Sequence, residues 1–143
     1  MSRSVEQMID DVIRREHTRE VEIYRRAYYE APGIAMLPAR IRPFVFDAAV
    51  HHGPGRAIRF VQEVCEAAGF GPLAADGHCG PLTLRAAALA DRVMGDWLLA
   101  ALVEERRNFY LALVARYPEQ RVFLKGWLNR LAEFEVPVEQ LVA

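Results

Sequence analysis

The chain has 143 residues, 52% of them apolar and 26% charged, with a net charge of −1. That is one domain's worth of ordinary globular composition, large enough to bury a core without disulfide or metal staples. It is the composition of a globular chain rather than a disordered one, and the near-neutral charge gives no whole-chain footprint for nucleic acid or an anionic membrane. The two cysteines, Cys65 and Cys79, lack CxxC spacing and are read as small thiols in a reducing compartment rather than as a disulfide. The charged N-terminus has no apolar signal-peptide core, and no apolar run reaches membrane-spanning length. Synthesis in a cytoplasm, without export signal or membrane insertion, is the expectation.

Helical periodicity runs throughout and no stretch alternates as a strand. Val5, Met8, Ile9, Val12 and Ile13 form one apolar stripe, with Ser4 placed to cap it and Glu16 as its next member. A second pattern carries Val21, Ile23, Tyr24, Ala27 and Tyr28, with Thr18 as its candidate cap. Periodicity leaves open whether the two patterns fuse or break at His17-Thr18. Ala31-Pro32-Gly33 ends this region. Pro43 fits the first turn of a third helix built on Phe44, Val45, Ala48 and Ala49. Gly53-Pro54-Gly55 separates it from a fourth, carrying Ala57, Ile58, Val61, Val64 and Cys65 and stopped by Gly69-Phe70-Gly71-Pro72.

After the turn cluster at 76–81, an Ala/Leu-rich helix is expected over residues 82–93 and the longest helix over 96–117. A last helix starts at Pro118 and ends at Pro137, with Phe123, Trp127, Leu128 and Leu131 facing inward. The reading is an all-α fold, a single domain of about seven helices.

Four segments carry a resemblance. Ile23-Tyr24-Arg25-Arg26-Ala27-Tyr28-Tyr29 is similar to an Ile-Tyr-Arg-x-x-Tyr-Trp helix. Val45-Phe46-Asp47-Ala48-Ala49-Val50-His51-His52-Gly53-Pro54-Gly55-Arg56-Ala57 resembles a Phe-Asp-x-x-Val-Asn-x-Gly-Pro-x-x-Ala signature, with His51 in place of the Asn and Gln62 at the following polar position. Asp76-Gly77-x-x-Gly80-Pro81-x-Thr83 is a turn-plus-helix element shared with several wall-binding modules. Lys125-Gly126-Trp127-Leu128-Asn129-Arg130 completes the set. In this order they resemble glycoside hydrolase family 108, the lysozyme-like muramidases, together with the family's helical peptidoglycan-binding region.

The resemblance implies a lysozyme-like helical domain, with 1–31 a remnant of the catalytic region and 32–143 the peptidoglycan-binding part. It implies peptidoglycan glycan strands as partner, reached by holin-type release, and Glu16 as general acid. In the family that Glu opens a Glu-Gly-Gly-Tyr segment, followed by an Asp-x-Gly-Gly-x-Thr-x-x-Gly-Ile-Thr loop. Here His17 and Thr18 replace the glycines and the loop is missing, a loss of roughly 40 to 50 residues against the family.

Glycoside hydrolysis uses one carboxylic acid to protonate the leaving oxygen and a second group to handle water or the glycosyl cation. Burial on the apolar stripe would raise the Glu16 pKa and keep it protonated; a solvated helix end, or pairing with Arg14, Arg15 or Arg19, would not. Asp47 is either a second carboxylate or an internal hydrogen-bond hub tied to Arg106. Asp47 and His51 stand four apart beside His52, but without a third ligand at matching spacing no metal site is read, and no cofactor. Asp76 either contacts ligand or specifies its turn, and Trp97 and Trp127 either stack on sugars or fill the core.

Two uses of the scaffold follow. In the first, the chain is a catalytically impaired or inactive relative of the phage and prophage muramidases that retains glycan binding. Asp47, His51, Asp76 and Trp127 then shape what remains of the cleft. In the alternative, it is a phage-encoded interaction protein that binds and inhibits a host cytoplasmic protein or defence complex through the surface near 16–29.

Overall fold

The computed structural model describes residues 4–16 and 21–142, apart from the side chains of Ile13, Arg15, Glu16, Val21 and Tyr24. Helix α1 spans Val5–Glu16. Helix α2, Val21–Arg25, runs on into a π-helical turn, Arg26–Glu30, and a 3-10 turn follows at Ile34–Met36. Then come α3 (Arg42–His52), α4 (Pro54–Ala67), α5 (Pro81–Met94) and α6 (Asp96–Arg116). A 3-10 segment, Pro118–Phe123, leads into α7 (Leu124–Ala132), and α8 (Val138–Val142) closes the described chain. Among the described residues there is no strand. The all-α, single-domain reading holds, and no described helix is long and apolar enough to cross a membrane.

Helix α1 starts as its sequence dictates. The Ser4 hydroxyl accepts from the Gln7 amide at 3.1 Å, and the Gln7 side chain accepts from the Ser4 amide at 2.9 Å. This reciprocal pair satisfies two donors that the first helical turn leaves orphaned. The apolar stripe then delivers Ile9 and Val12 into the core, each worth roughly 1.5–3 kcal/mol of burial. Thr18 and the His17-Thr18 junction lie outside the described residues.

Helix α3 is the central element. It packs against α1, α4, the π-helical turn and the first 3-10 turn, so Pro43, Phe44, Val45, Phe46, Asp47, Ala48 and Ala49 are all buried. A helix surrounded by neighbours cannot present a polar face to water, and a carboxylate on it must find its counter-charge inside. Helix α6 contacts α4, α5, α7, α8 and the second 3-10 segment, which explains apolar residues on every side of it. Helix α4 ends in a Schellman turn: the Phe70 amide donates to the Cys65 carbonyl (2.9 Å) and the Gly69 amide to Glu66 (3.1 Å). Gly69 takes the left-handed conformation that this turn requires, with φ of 91°.

Several expectations need correction at the C-terminal end. Pro118 opens a 3-10 segment instead of an α-helix. Helix α7 ends at Ala132, and Pro137 starts α8 rather than ending its predecessor: its carbonyl accepts from the Gln140 and Leu141 amides. A proline lacks a donor but keeps its acceptor, so it can begin a helix as readily as it follows one. Phe123 does not face inward; it is 52% exposed. Of the two readings of Trp97, the core one fails: it is 51% exposed at the start of α6.

Candidate functional site

Arg25 ties helix α2 to α1. The Arg25 guanidinium donates to Glu6 at 2.9 Å and to Asp10, both on α1. Along the solvent side of α2, a groove of about 320 Å³ is lined by Glu22, Ile23, Arg26, Ala27 and Ala31. A second groove, of about 550 Å³, begins at the same Ala31. It runs past Pro32, the Pro54-Gly55 start of α4 and the turn at Gly77, His78, Cys79 and Gly80. The two grooves meet at Ala31 and leave a strip of surface from α2 to that turn. Glu16 ends α1, but its side chain lies outside the described residues.

The turn beside the second groove is held by Gln62, buried in α4. Its amide nitrogen donates to the Asp76 carboxylate, the His78 carbonyl and the Thr83 hydroxyl, each at 3.0 Å, and its carbonyl oxygen accepts from the Gly77 amide at 2.9 Å. With two N–H groups facing three acceptors, at least one of these bonds is shared. Asp76 also accepts from the His78 amide at 2.9 Å. The His78 amide and the Gln62 side chain together hold the Asp76 carboxyl below the usual carboxylate range. Gly77 has φ of 80°, and a Cβ there would meet the Gly55 carbonyl oxygen at 3.1 Å. The Asp76-Gly77 element is therefore a turn clamped onto α4, with Asp76 exposed at its rim.

A second cluster lies where α3, α6 and α7 meet. Asp47 Oδ2 accepts from Arg106 Nη2 at 2.8 Å and from Arg130 Nε at 3.0 Å, and its Oδ1 stands 2.8 Å from Arg130 Nη2. The Asp47 and Arg106 side chains are both 0% exposed. Arg106 Nε donates to the Tyr110 hydroxyl at 3.1 Å, and the guanidinium lies 5.4 Å from the centre of the Phe44 ring. The Tyr110 hydroxyl is 3.2 Å from His52 Nε2. Burial, with the positive charge of Arg106 next in weight, pushes the His52 pKa down to about 3. The ring is therefore neutral, and its hydrogen bond with the Tyr110 hydroxyl takes its direction from the His52 tautomer.

His51 packs edge-on to His52, Tyr110 and Trp127, and Trp127 stacks on Tyr110 with ring centroids 5.1 Å apart. The fold thus brings Asp47, His51 and Trp127 into one cluster and puts Asp76 in the other. The Arg106–Asp47 tie foreseen in the sequence is present. Asp47 is fully buried and paired with two guanidinium groups, so this carboxylate is out of reach of bulk water or a glycosyl cation. Among the described residues no three His, Cys, Asp or Glu side chains converge as a metal cage, and both cysteines are free thiols.

Gln62, Tyr110 and Arg130 are the organising residues that sequence reasoning passed over or left without a role. Gln62 offered a signal: it sits four residues after Ile58 and three before Cys65, on the apolar stripe of α4. A polar amide on a buried stripe must find partners inside. Arg106 stands one helical turn before Tyr110, but the Asp47 partner of Arg130 and the His52 partner of Tyr110 lie 83 and 58 residues away, too far to be read from local spacing.

Residues 56–132 match the family described as Predicted Peptidoglycan domain, and residues 2–53 match Glycosyl hydrolase 108. No curated protein matches the sequence. Among solved structures, that of Brucella abortus SagA is similar, with 29% identity and a TM-score of 0.64 over 82% of this chain. The match covers 60% of the SagA chain, so this chain spans less than two thirds of that protein's length. A peptidoglycan-family match over more than half the sequence, with a hydrolase-family match beside it on one continuous helical scaffold, places the chain. It belongs to the Predicted Peptidoglycan domain family, in a lysozyme-like scaffold of the glycosyl hydrolase 108 type.

Proposed function

We propose that this protein binds peptidoglycan glycan strands and cleaves them weakly or not at all. The observation that carries the reading is the junction after the candidate acid. Helix α1 ends at Glu16 and α2 begins at Val21, so only residues 17–20 stand where the hydrolases of this resemblance carry their catalytic loop. A general acid without a partner across the cleft loses most of the positioning and charge stabilisation on which the reaction depends. Asp47 supports the same reading, because its ion pairs withdraw it from solvent.

Binding places weaker demands on geometry. The strip that runs from α2 over Ala31 to the His78 turn is long, shallow and rimmed by Glu22, Arg26 and His78, a form suited to an extended amphipathic strand. Any residual activity would use Glu16 as general acid. The test of binding is sedimentation with purified peptidoglycan sacculi. Saturable co-pelleting is expected. Retention of the whole protein in the supernatant at every load would overturn the reading.

A further inference from the structure

On helix α7 and the 3-10 segment before it, the ring stack of the Asp47 cluster continues outward to the surface. Tyr110, Trp127 and Phe123 form a graded run of near-parallel rings: Trp127 lies 17° from Tyr110 and 28° from Phe123, with the Phe123 and Trp127 centroids 5.9 Å apart. Tyr110 is fully buried, Trp127 is half-buried and Phe123 has half its surface in solvent. The outermost ring is therefore held by stacking, not left to rotate freely, and a ligand meeting it would find its orientation already set.

Beside it stands a residue that packing does not explain. Gly126 lies within α7, where glycine costs about 1 kcal/mol relative to alanine. An added Cβ would meet nothing within 4 Å, and the backbone is not in the left-handed region. Nothing inside the chain demands a glycine here; its effect is to leave the helix backbone bare to solvent one turn from Phe123. Lys125 and Asn129 are both exposed and stand one helical turn apart on the same outward side of α7. Among the described residues neither makes a side-chain hydrogen bond or ion pair.

We infer that Phe123, Gly126, Asn129 and Lys125 form a glycan-binding face across the exposed side of α7 that takes an N-acetylated, carboxylate-bearing stretch of a peptidoglycan strand. The apolar face of a pyranose fits the fixed aromatic ring. The bare backbone at Gly126 admits the sugar's bulk. The Asn129 amide can donate to and accept from hydroxyl or acetamido groups, and the Lys125 ammonium meets the carboxylate. An apolar protein partner would leave this amide and ammonium buried without partners, whereas an amphipathic, anionic sugar satisfies both. The inference rests on the peptidoglycan reading above and adds where a strand is gripped.

The test is co-sedimentation of the whole protein with purified sacculi, comparing wild type with Phe123→Ala, Phe123→Tyr, Lys125→Glu and, as a control on an equally exposed aromatic elsewhere, Trp97→Ala. Phe123→Ala and Lys125→Glu should each weaken binding roughly five- to tenfold, while Phe123→Tyr and Trp97→Ala stay within about twofold of wild type. Lys125→Glu alters an exposed side chain only, so its result stands even if Phe123→Ala unfolds the protein. Wild-type binding with Phe123→Ala and Lys125→Glu unchanged would overturn the binding face and leave the peptidoglycan reading intact. Equal losses in Trp97→Ala would overturn the binding face as well. No wild-type binding at all would overturn the peptidoglycan reading, and the binding face with it.

Discussion

Replacing Asp47 by alanine should be among the most damaging single changes in this protein. The side chain accepts two charge-assisted hydrogen bonds and makes a third close contact, at 2.8–3.0 Å, with two guanidinium groups. Arg130 is 16% exposed and can turn its charge toward water. Arg106 cannot: it is fully buried, its Nη1 already has no hydrogen-bond partner, and only the Tyr110 hydroxyl and the Phe44 face would remain to it. Leaving one such charge unpaired costs about 3–5 kcal/mol. For a chain of this size each kcal/mol moves the midpoint by about 3 °C, so Asp47→Ala should lower Tm by about 10–15 °C in a calorimetric or circular-dichroism melt. The double variant Asp47→Leu with Arg106→Met removes the stranded charge and should recover at least half of that loss. A single variant that costs less than about 1 kcal/mol, or a double variant no better than the single, would refute the view that this pair answers a buried charge.

Gln62→Leu removes every bond that clamps the Asp76 turn to α4 and should cost about 2–3 kcal/mol, with Gly77 and His78 amides losing hydrogen-exchange protection before the rest of the fold. His52 has a folded-state pKa of about 3 against about 6.5 in the unfolded chain. As pH falls below 6.5 only the unfolded state takes up this proton, so stability drops progressively down to about pH 3. Partial exposure of the ring holds the loss to about 1–2 kcal/mol at pH 5, and His52→Gln should flatten that part of the urea-midpoint profile. Glu105 has its pKa raised by burial and by the neighbouring Glu63 carboxyl. The neutral acid is the form that the fold favours, so its contribution is present at acid pH and lost as pH rises through the folded value. Glu105→Gln should therefore raise Tm at pH 7 by about 1–3 °C and make little difference at pH 4.

Much of this architecture is legible in the sequence because the signals are local. The Ser4–Gln7 cap, the Ile9 and Val12 stripe, Pro43 in the first turn of α3 and the limits of α5 and α6 each follow from neighbouring residues. The errors fall where one residue type supports two outcomes. Pro118 and Pro137 announce a boundary without saying whether a 3-10 turn or a new helix follows, and the Phe123 position reads as inward at helical spacing until the 3-10 segment rotates it outward. The clusters are less legible. Asp47 announces itself as a carboxylate on a helix buried all round, but its second partner, Arg130, comes 83 residues later. The Gln62 hub is spread over a turn 14 to 21 residues away, and no periodicity reports such a distance.

The central claim, a peptidoglycan scaffold with little or no hydrolysis, is tested most directly by clearance of a purified sacculus suspension, wild type beside Glu16→Gln. The account predicts little or no clearance by the wild type and none by Glu16→Gln, at concentrations where the wild type co-pellets with the sacculi. Rapid, complete clearance by wild type that Glu16→Gln abolishes would contradict it, and would mean that Glu16 works with a catalytic partner in spite of the short junction to α2.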